Sequence, residues 1–100
     1  MVEDILSEMR ARSATLRSLN ASVRFVLGKD GEIIHLDARS NPIAITQDDQ
    51  DADCTIRISP ENLAKLINGK LNPMLAFTMG KLKVEGSMGI AMKLAQLLDE

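Results

Sequence analysis

Five short stretches of this chain alternate apolar with polar residues, and that two-residue period leaves little choice of fold. Val23, Phe25 and Leu27 alternate with Ser22, Arg24 and Val26. Gly28-Lys29-Asp30-Gly31 follows with residues that tolerate positive φ, which predicts a hairpin turn. Residues 32–37 return, with Ile34 and Leu36 matching the apolar face of the first strand. Asn41-Pro42 opens a third strand over 43–46, in which Ile43 and Ile45 point together. Cys54, Ile56 and Ile58 alternate with Thr55 and Arg57, and Leu82 and Val84 with Lys81, Lys83 and Glu85. Successive side chains of a strand point to opposite faces. The five strands therefore share one aliphatic face and one mainly polar face. The fold expected is α+β, a five-stranded, mostly antiparallel sheet with helices packed on one face.

The cover for that face is legible too. Residues 2 to about 19 read as helical, with Val2, Ile5, Leu6 and Met9 on one stripe. Thr15, Leu16 and Leu19 continue it or form a second short turn, and Asn20 ends it. Ser59-Pro60-Glu61-Asn62 combines a hydroxyl N-cap, proline at the first helical position and an acid in the first turn. Leu63, Leu66 and Ile67 form the stripe that follows, and Gly69 stops it. Asn72-Pro73 repeats that start for a short helix over 74–79, ended by Gly80. Ser87 caps the last helix, in which Ile90, Leu94, Leu97 and Leu98 make one face with Met88 and Met92 alongside. One hundred residues with no linker-like run and no internal repeat make a single domain, 1–100.

Composition narrows the chemistry. Apolar residues make up 45% of the chain but only two residues are aromatic, so the core is aliphatic and methionine-rich. A net charge of −2 and the absence of Trp and Tyr argue against nucleic acid as a partner. Residues 62–98 nevertheless hold Lys65, Lys70, Lys81, Lys83 and Lys93 against Glu85 as their one acid. That excess reads as a solvated surface, or as one suited to transient contact with an anionic membrane surface or an acidic lipid head. No run of about 18 apolar residues is present to span a bilayer. The first residues, MVEDILSEMR, are acidic and amphipathic, unlike a signal peptide.

No set of residues is organised for catalysis. Asp48, Asp49, Asp51 and Asp53 are the densest carboxylate cluster, and three of them fall at EF-hand spacing. Counted from Asp49, however, Cys54 stands where that loop needs Gly and Pro60 where it needs a bidentate Glu. A solvated inter-strand loop is the expectation. His35 alternates onto the face opposite Ile34 and Leu36 with no nucleophile or metal motif beside it, and is expected at the surface. Cys54 falls on the apolar face as a buried, inert thiol; a lone cysteine forms no intrachain disulfide, as suits a reducing compartment. Gly80-Lys81 and Gly86 match no phosphate-binding pattern. No catalytic residue, cofactor or metal is expected.

Residues 69–94 carry the remaining information. They place four of the six methionines, Met74, Met79, Met88 and Met92, with Phe77 in two helical segments joined by one strand. Methionine is unbranched and polarizable, so it fills irregular gaps and reshapes around different guests. Periodicity alone reads this stripe as core packing. Two features point to a cavity instead: Met88 and Met92 widen the last helix's apolar surface, and Gly86-Ser87 is a junction on which that helix can move as a lid.

Gly69, Leu71, Pro73, Ala76-Phe77, Gly80-Lys81-Leu82, Val84, Gly86 and Leu94 follow the pattern of a known family, with Ala52-Asp53-Cys54-Thr55-Ile56 and Ser59-Pro60-Glu61 upstream. In their order and spacing these residues resemble the sterol carrier protein type 2 family, loosely before Val23 and well after Ala52. The resemblance implies a non-enzymatic domain that binds and transfers long-chain lipids (fatty acid, acyl-coenzyme A or a sterol-like molecule) in an apolar tunnel between helices and sheet. The wall is then expected from Phe25, Ile56, Leu66, Ile67, Met74, Phe77, Met79, Met88, Met92 and Leu97. Phe77 leads these candidates because it stands at the family's Ala-Phe position, and Lys81 or Lys93 is expected to meet an acidic head group at the mouth. Two alternatives stay open: an accessory subunit presenting a lipid to a partner enzyme, as in isoprenoid quinone biosynthesis, and a structural or dimerising domain with a filled core. Relatives often end in a Ser-Lys-Leu type peroxisomal address; Leu98-Asp99-Glu100 does not, which sets the expectation of a cytoplasmic, microbial protein.

Overall fold

The computed structural model describes residues 2–29 and 31–98. The turn residue Asp30 and the terminal Asp99-Glu100 read above lie outside the described residues. Helix α1 (Val2–Ala11) and the short α2 (Ser13–Leu16) lead through a 3-10 turn (Arg17–Leu19) into β1 (Ser22–Leu27). Strands β2 (Glu32–Asp37), β3 (Ala44–Thr46) and β4 (Cys54–Ile58) follow. Then come α3 (Pro60–Ile67), α4 (Pro73–Thr78), β5 (Leu82–Gly86) and α5 (Met88–Leu98). The first helical stretch is thus two helices and a turn, and Asn20 closes it in the left-handed conformation with φ 50°.

The strands form one sheet in the order β3-β2-β1-β4-β5. Three neighbouring pairs are antiparallel, but β1 and β4 run parallel at its centre. Register confirms the shared apolar face. Phe25 lies between Ile34 and Ile56, Val23 between Leu36 and Cys54, and Val84 pairs with Ile56. The helices cover this face, and Leu63, Leu66 and Ile67 of α3 complete the buried core with Ile5, Leu6, Met9 and Leu16.

Helix termini form as the caps predict. Ser59 Oγ accepts from Asn62 N at 3.1 Å, Asn72 Oδ1 from Leu75 N at 3.0 Å and Ser87 Oγ from Ile90 N at 3.3 Å. At the other end of α4, Gly80 takes φ 74°, a value that costs a β-carbon dearly. Gly80 N donates to Phe77 O at 3.1 Å and Lys81 N to Ala76 O at 2.8 Å, a Schellman closure that satisfies two of the last carbonyls. Gly69 and Lys70 close α3 in the same way on Leu66 O and Lys65 O, at 3.2 and 2.8 Å.

The second face of the sheet departs from expectation. His35, read as a surface residue, is only 4% exposed, and its Nε2 donates to Asp51 O at 3.0 Å. Alternation placed it on the polar face correctly, but the loop 47–53 folds back over that face. The loop itself stays exposed, as expected of a solvated inter-strand loop, but it is tethered to the sheet. Arg24 Nη1 donates to Asp49 Oδ1 at 2.8 Å, while Ser22 donates from N and Oγ to Asp53 Oδ2 at 3.0 and 3.2 Å. Asp53 N donates back to Ser22 Oγ at 3.0 Å, so two residues 31 apart in sequence lock β1 to the start of β4. The Asp49 and Asp53 carboxylates thus serve as hydrogen-bond acceptors. Among the described residues no group of three or more His, Cys, Asp or Glu is placed to hold a metal. No helix among them is long and apolar enough to cross a membrane.

Candidate functional site

An apolar cavity of about 120 Å³ lies between the sheet's inner face and helices α3, α4 and α5. Its floor is Phe25 of β1, Ile56 of β4 and Leu82 and Val84 of β5. Leu66 of α3 forms one side. Pro73, Met74 and Phe77 of α4 close another, and α5 roofs it with Met88, Ala91, Met92, Ala95 and Leu98 together with Leu94. Every lining side chain among the described residues is apolar.

The local sequence explains the space. Met88, Ala91, Met92, Ala95 and Leu98 recur at helical spacing, so they share one face of α5. Two of these five are alanines, whose short side chains fill little of the space they face. Met74, Phe77, Met88 and Met92 stand at the rim, each 43–48% exposed. Four long apolar side chains in water at one opening is an arrangement monomeric domains keep mostly for function. The methionines are flexible enough to swing aside or fold over a guest.

Seven of the ten residues picked from the sequence line this cavity: Phe25, Ile56, Leu66, Met74, Phe77, Met88 and Met92. Three do not. Ile67, on the same buried stripe of α3 but turned from this cavity, lines a second void of about 10 Å³ with Met9, Leu16 and Leu63. Met79 follows the last turn of α4 and points to solvent, 57% exposed. Leu97 is half-buried against the core, a helical position away from the lining face. Lys81 and Lys93 are exposed and line neither void. Pro73, Leu82, Val84, Ala91, Leu94, Ala95 and Leu98 line the cavity without having been picked. The signal for the α5 members is the i, i+3, i+4, i+7 series from Met88, which carries Ala91, Met92 and Ala95 onto the same face.

Phe25, Leu94 and Leu98 border both voids and stand between them. The structure therefore contains a cavity and a smaller neighbouring void with these three side chains between them. The Gly86-Ser87 junction, read as a hinge, is pinned. Gly86 pairs with Cys54 across β4–β5, and Ser87 N donates to Asp53 O at 3.0 Å. Cys54 itself is buried beneath this junction. Burial, with the Asp53 carboxylate adding to it, pushes its thiol up to about 11, so at neutral pH it is the protonated, unreactive form.

Fold and site together define an α+β domain with an apolar cavity between sheet and helices. Comparison with known proteins gives the family: residues 2–99 match the SCP-2 sterol transfer family, and the chain belongs to it. It is 55% identical over 49 residues to sterol carrier protein 2 of Oryctolagus cuniculus, a stretch that is 49% of this chain and 9% of that protein. The solution structure of sterol carrier protein domain 2 of Helicoverpa armigera matches with a TM-score of 0.77 at 30% identity, over 96% of this chain and 83% of that one. The structure of palmitated SCP2L2 from Aedes aegypti matches with a TM-score of 0.80 over 99% of this chain and 95% of that one; at 20% identity it is a likeness of fold.

Proposed function

We propose that this domain binds a long-chain lipid, a fatty acid, acyl-coenzyme A or sterol-like molecule, without transforming it, and hands it on. The observation that carries the reading is the cavity, wholly apolar in its wall and rimmed by three exposed methionines and Phe77. A small domain has little packing to spare, and an unfilled apolar void of this size lowers its stability. A void persists at such a cost when a guest offsets it. The filled core of a purely structural domain is not what these residues build.

Size sets the mechanism. At about 120 Å³ the cavity is smaller than the ~150 Å³ void that accepts one benzene, so it admits a few carbons as it stands. A longer chain seats by displacing Met74, Met88 and Met92, whose unbranched side chains then re-cover it. Each methylene removed from water contributes about 0.8 kcal/mol, so sixteen carbons supply on the order of 10 kcal/mol gross, less the cost of ordering chain and rim. Among the described residues the wall carries no ionisable group, so selectivity on this reading rests on shape and length. We place the domain in the cytoplasm as part of the same proposal, a reading supported by a lone free cysteine, which suits a reducing compartment.

A chain-length series tests this. Titration with saturated fatty acids kept below their micelle concentrations is expected to show affinity rising about fourfold per added methylene, then levelling once the chain outgrows cavity and rim. Affinity independent of chain length contradicts an enclosed apolar site.

A further inference from the structure

Helix α4 exposes more apolar surface than the cavity uses. Its buried contacts are made by Pro73 and Ala76 and its cavity contacts by Pro73, Met74 and Phe77. Leu75 and Met79, one helical turn apart, do neither, yet they are 53% and 57% exposed. Two large apolar side chains held in water beside the rim of a lipid cavity need another use. Lys70 and Lys81 bracket them at the two ends of the helix, both exposed. Their backbones are fixed by the Schellman closures on Lys65 O and Ala76 O, so the flanking charges sit in defined places. Among the described residues none of the four ion pairs involves a lysine. Between residues 62 and 98 the single acid is Glu85, and Arg57 engages it on the opposite face of the sheet.

We propose that α4 and its flanking turns are the surface by which this protein docks on an anionic lipid bilayer, with Leu75 and Met79 entering the interface and Lys70 and Lys81 meeting the headgroups. Apolar side chains ringed by lysine suit that boundary, where short hydrophobic insertion and electrostatic attraction add. A second copy of the chain suits it less, because a two-fold contact through this patch sets lysine against lysine. Charge thus favours the bilayer. The use of such docking rests on the lipid-carrying reading: Met74 and Phe77 at the rim belong to the same helix, so docking sets the opening against the membrane and lets a chain pass without crossing water.

Flotation of the full chain with vesicles tests the surface. Binding is expected to phosphatidylcholine vesicles containing phosphatidylglycerol, to weaken with salt, and to be much lower with phosphatidylcholine alone. The pair Lys70→Gln with Lys81→Gln is expected to lower vesicle binding on the order of tenfold, and Leu75→Ser with Met79→Ser comparably. Both pairs lie outside core and cavity, so melting temperature and affinity for a monomeric fatty acid stay at wild-type values. Wild-type vesicle binding by either pair overturns the proposal, as does equal binding to charged and uncharged vesicles, or a solution dimer that dissociates when Leu75 and Met79 are replaced. Loss of fatty-acid affinity is a separate outcome. If the wild type docks but takes up no fatty acid, the carrying reading falls and the docking surface stands.

Discussion

Phe77→Asp is expected to lower the affinity for a long-chain lipid by at least about a hundredfold while leaving the domain folded. Phe77 stands at the rim, 43% exposed, so a carboxylate there keeps contact with water in the free protein. In the complex it does not. A chain threading past α4 would cover the carboxylate without offering it a hydrogen bond, and desolvating an unpaired charge is far costlier than losing the ring's contact area. The control is Phe77→Ala, which removes contact without adding charge and is expected to weaken binding about tenfold. Some loss of stability accompanies the acid, because residue 77 lies in the last turn of α4 where the helix dipole disfavours negative charge, by about 0.3–1 kcal/mol. Titration with a fluorescent fatty acid, alongside thermal melting, separates the two effects. Unchanged affinity in a folded variant removes the α4 wall from the site.

Gly86→Ala carries the largest expected effect on stability, a loss of about 2–4 kcal/mol. Gly86 has φ 91°, a conformation that side chains strain to adopt. A β-carbon there would also stand 2.8 Å from Asp53 O and 3.3 Å from Cys54 Cα, both backbone atoms without freedom to retreat. Asp53 O is itself engaged by Ser87 N, and its carboxylate by Ser22. The clash is therefore transmitted to the start of α5 and to the β1–β4 pair. Chemical denaturation is expected to show a lower midpoint with the cavity roof loosened, and a melting temperature down by about 10 °C or more. A melting temperature within a degree or two of wild type refutes the pinned junction and restores Gly86-Ser87 as a free hinge.

These two positions also show where the sequence is readable and where it is not. Alternation found all five strands because one face of the sheet is aliphatic throughout, and the caps Ser59-Pro60 and Asn72-Pro73 placed one helix start to the residue and another within one residue. The parallel β1–β4 pair was not legible: an apolar stripe states which face a strand buries, and says nothing of the direction its neighbour runs. His35 was misplaced for a related reason. Its period is right, but burial came from a loop, and polar loops carry no periodic signal. At the site, large apolar residues were easy to pick and small ones were not. Met74, Phe77, Met88 and Met92 announce themselves, whereas Ala91 and Ala95 line the cavity with short side chains. Met79 misled because it was picked by residue type: its helical position sets it beside Leu75, on the face of α4 away from Pro73 and Phe77.

Whether the cavity between sheet and helices holds a long-chain lipid is decided by native mass spectrometry of freshly purified protein followed by solvent extraction. The expected spectrum shows a one-to-one complex whose extra mass is a single long-chain lipid, recovered intact in the extract and reduced in the Phe77→Asp variant. Protein that arrives empty, and stays empty after incubation with fatty acid and acyl-coenzyme A, contradicts the lipid-carrying reading.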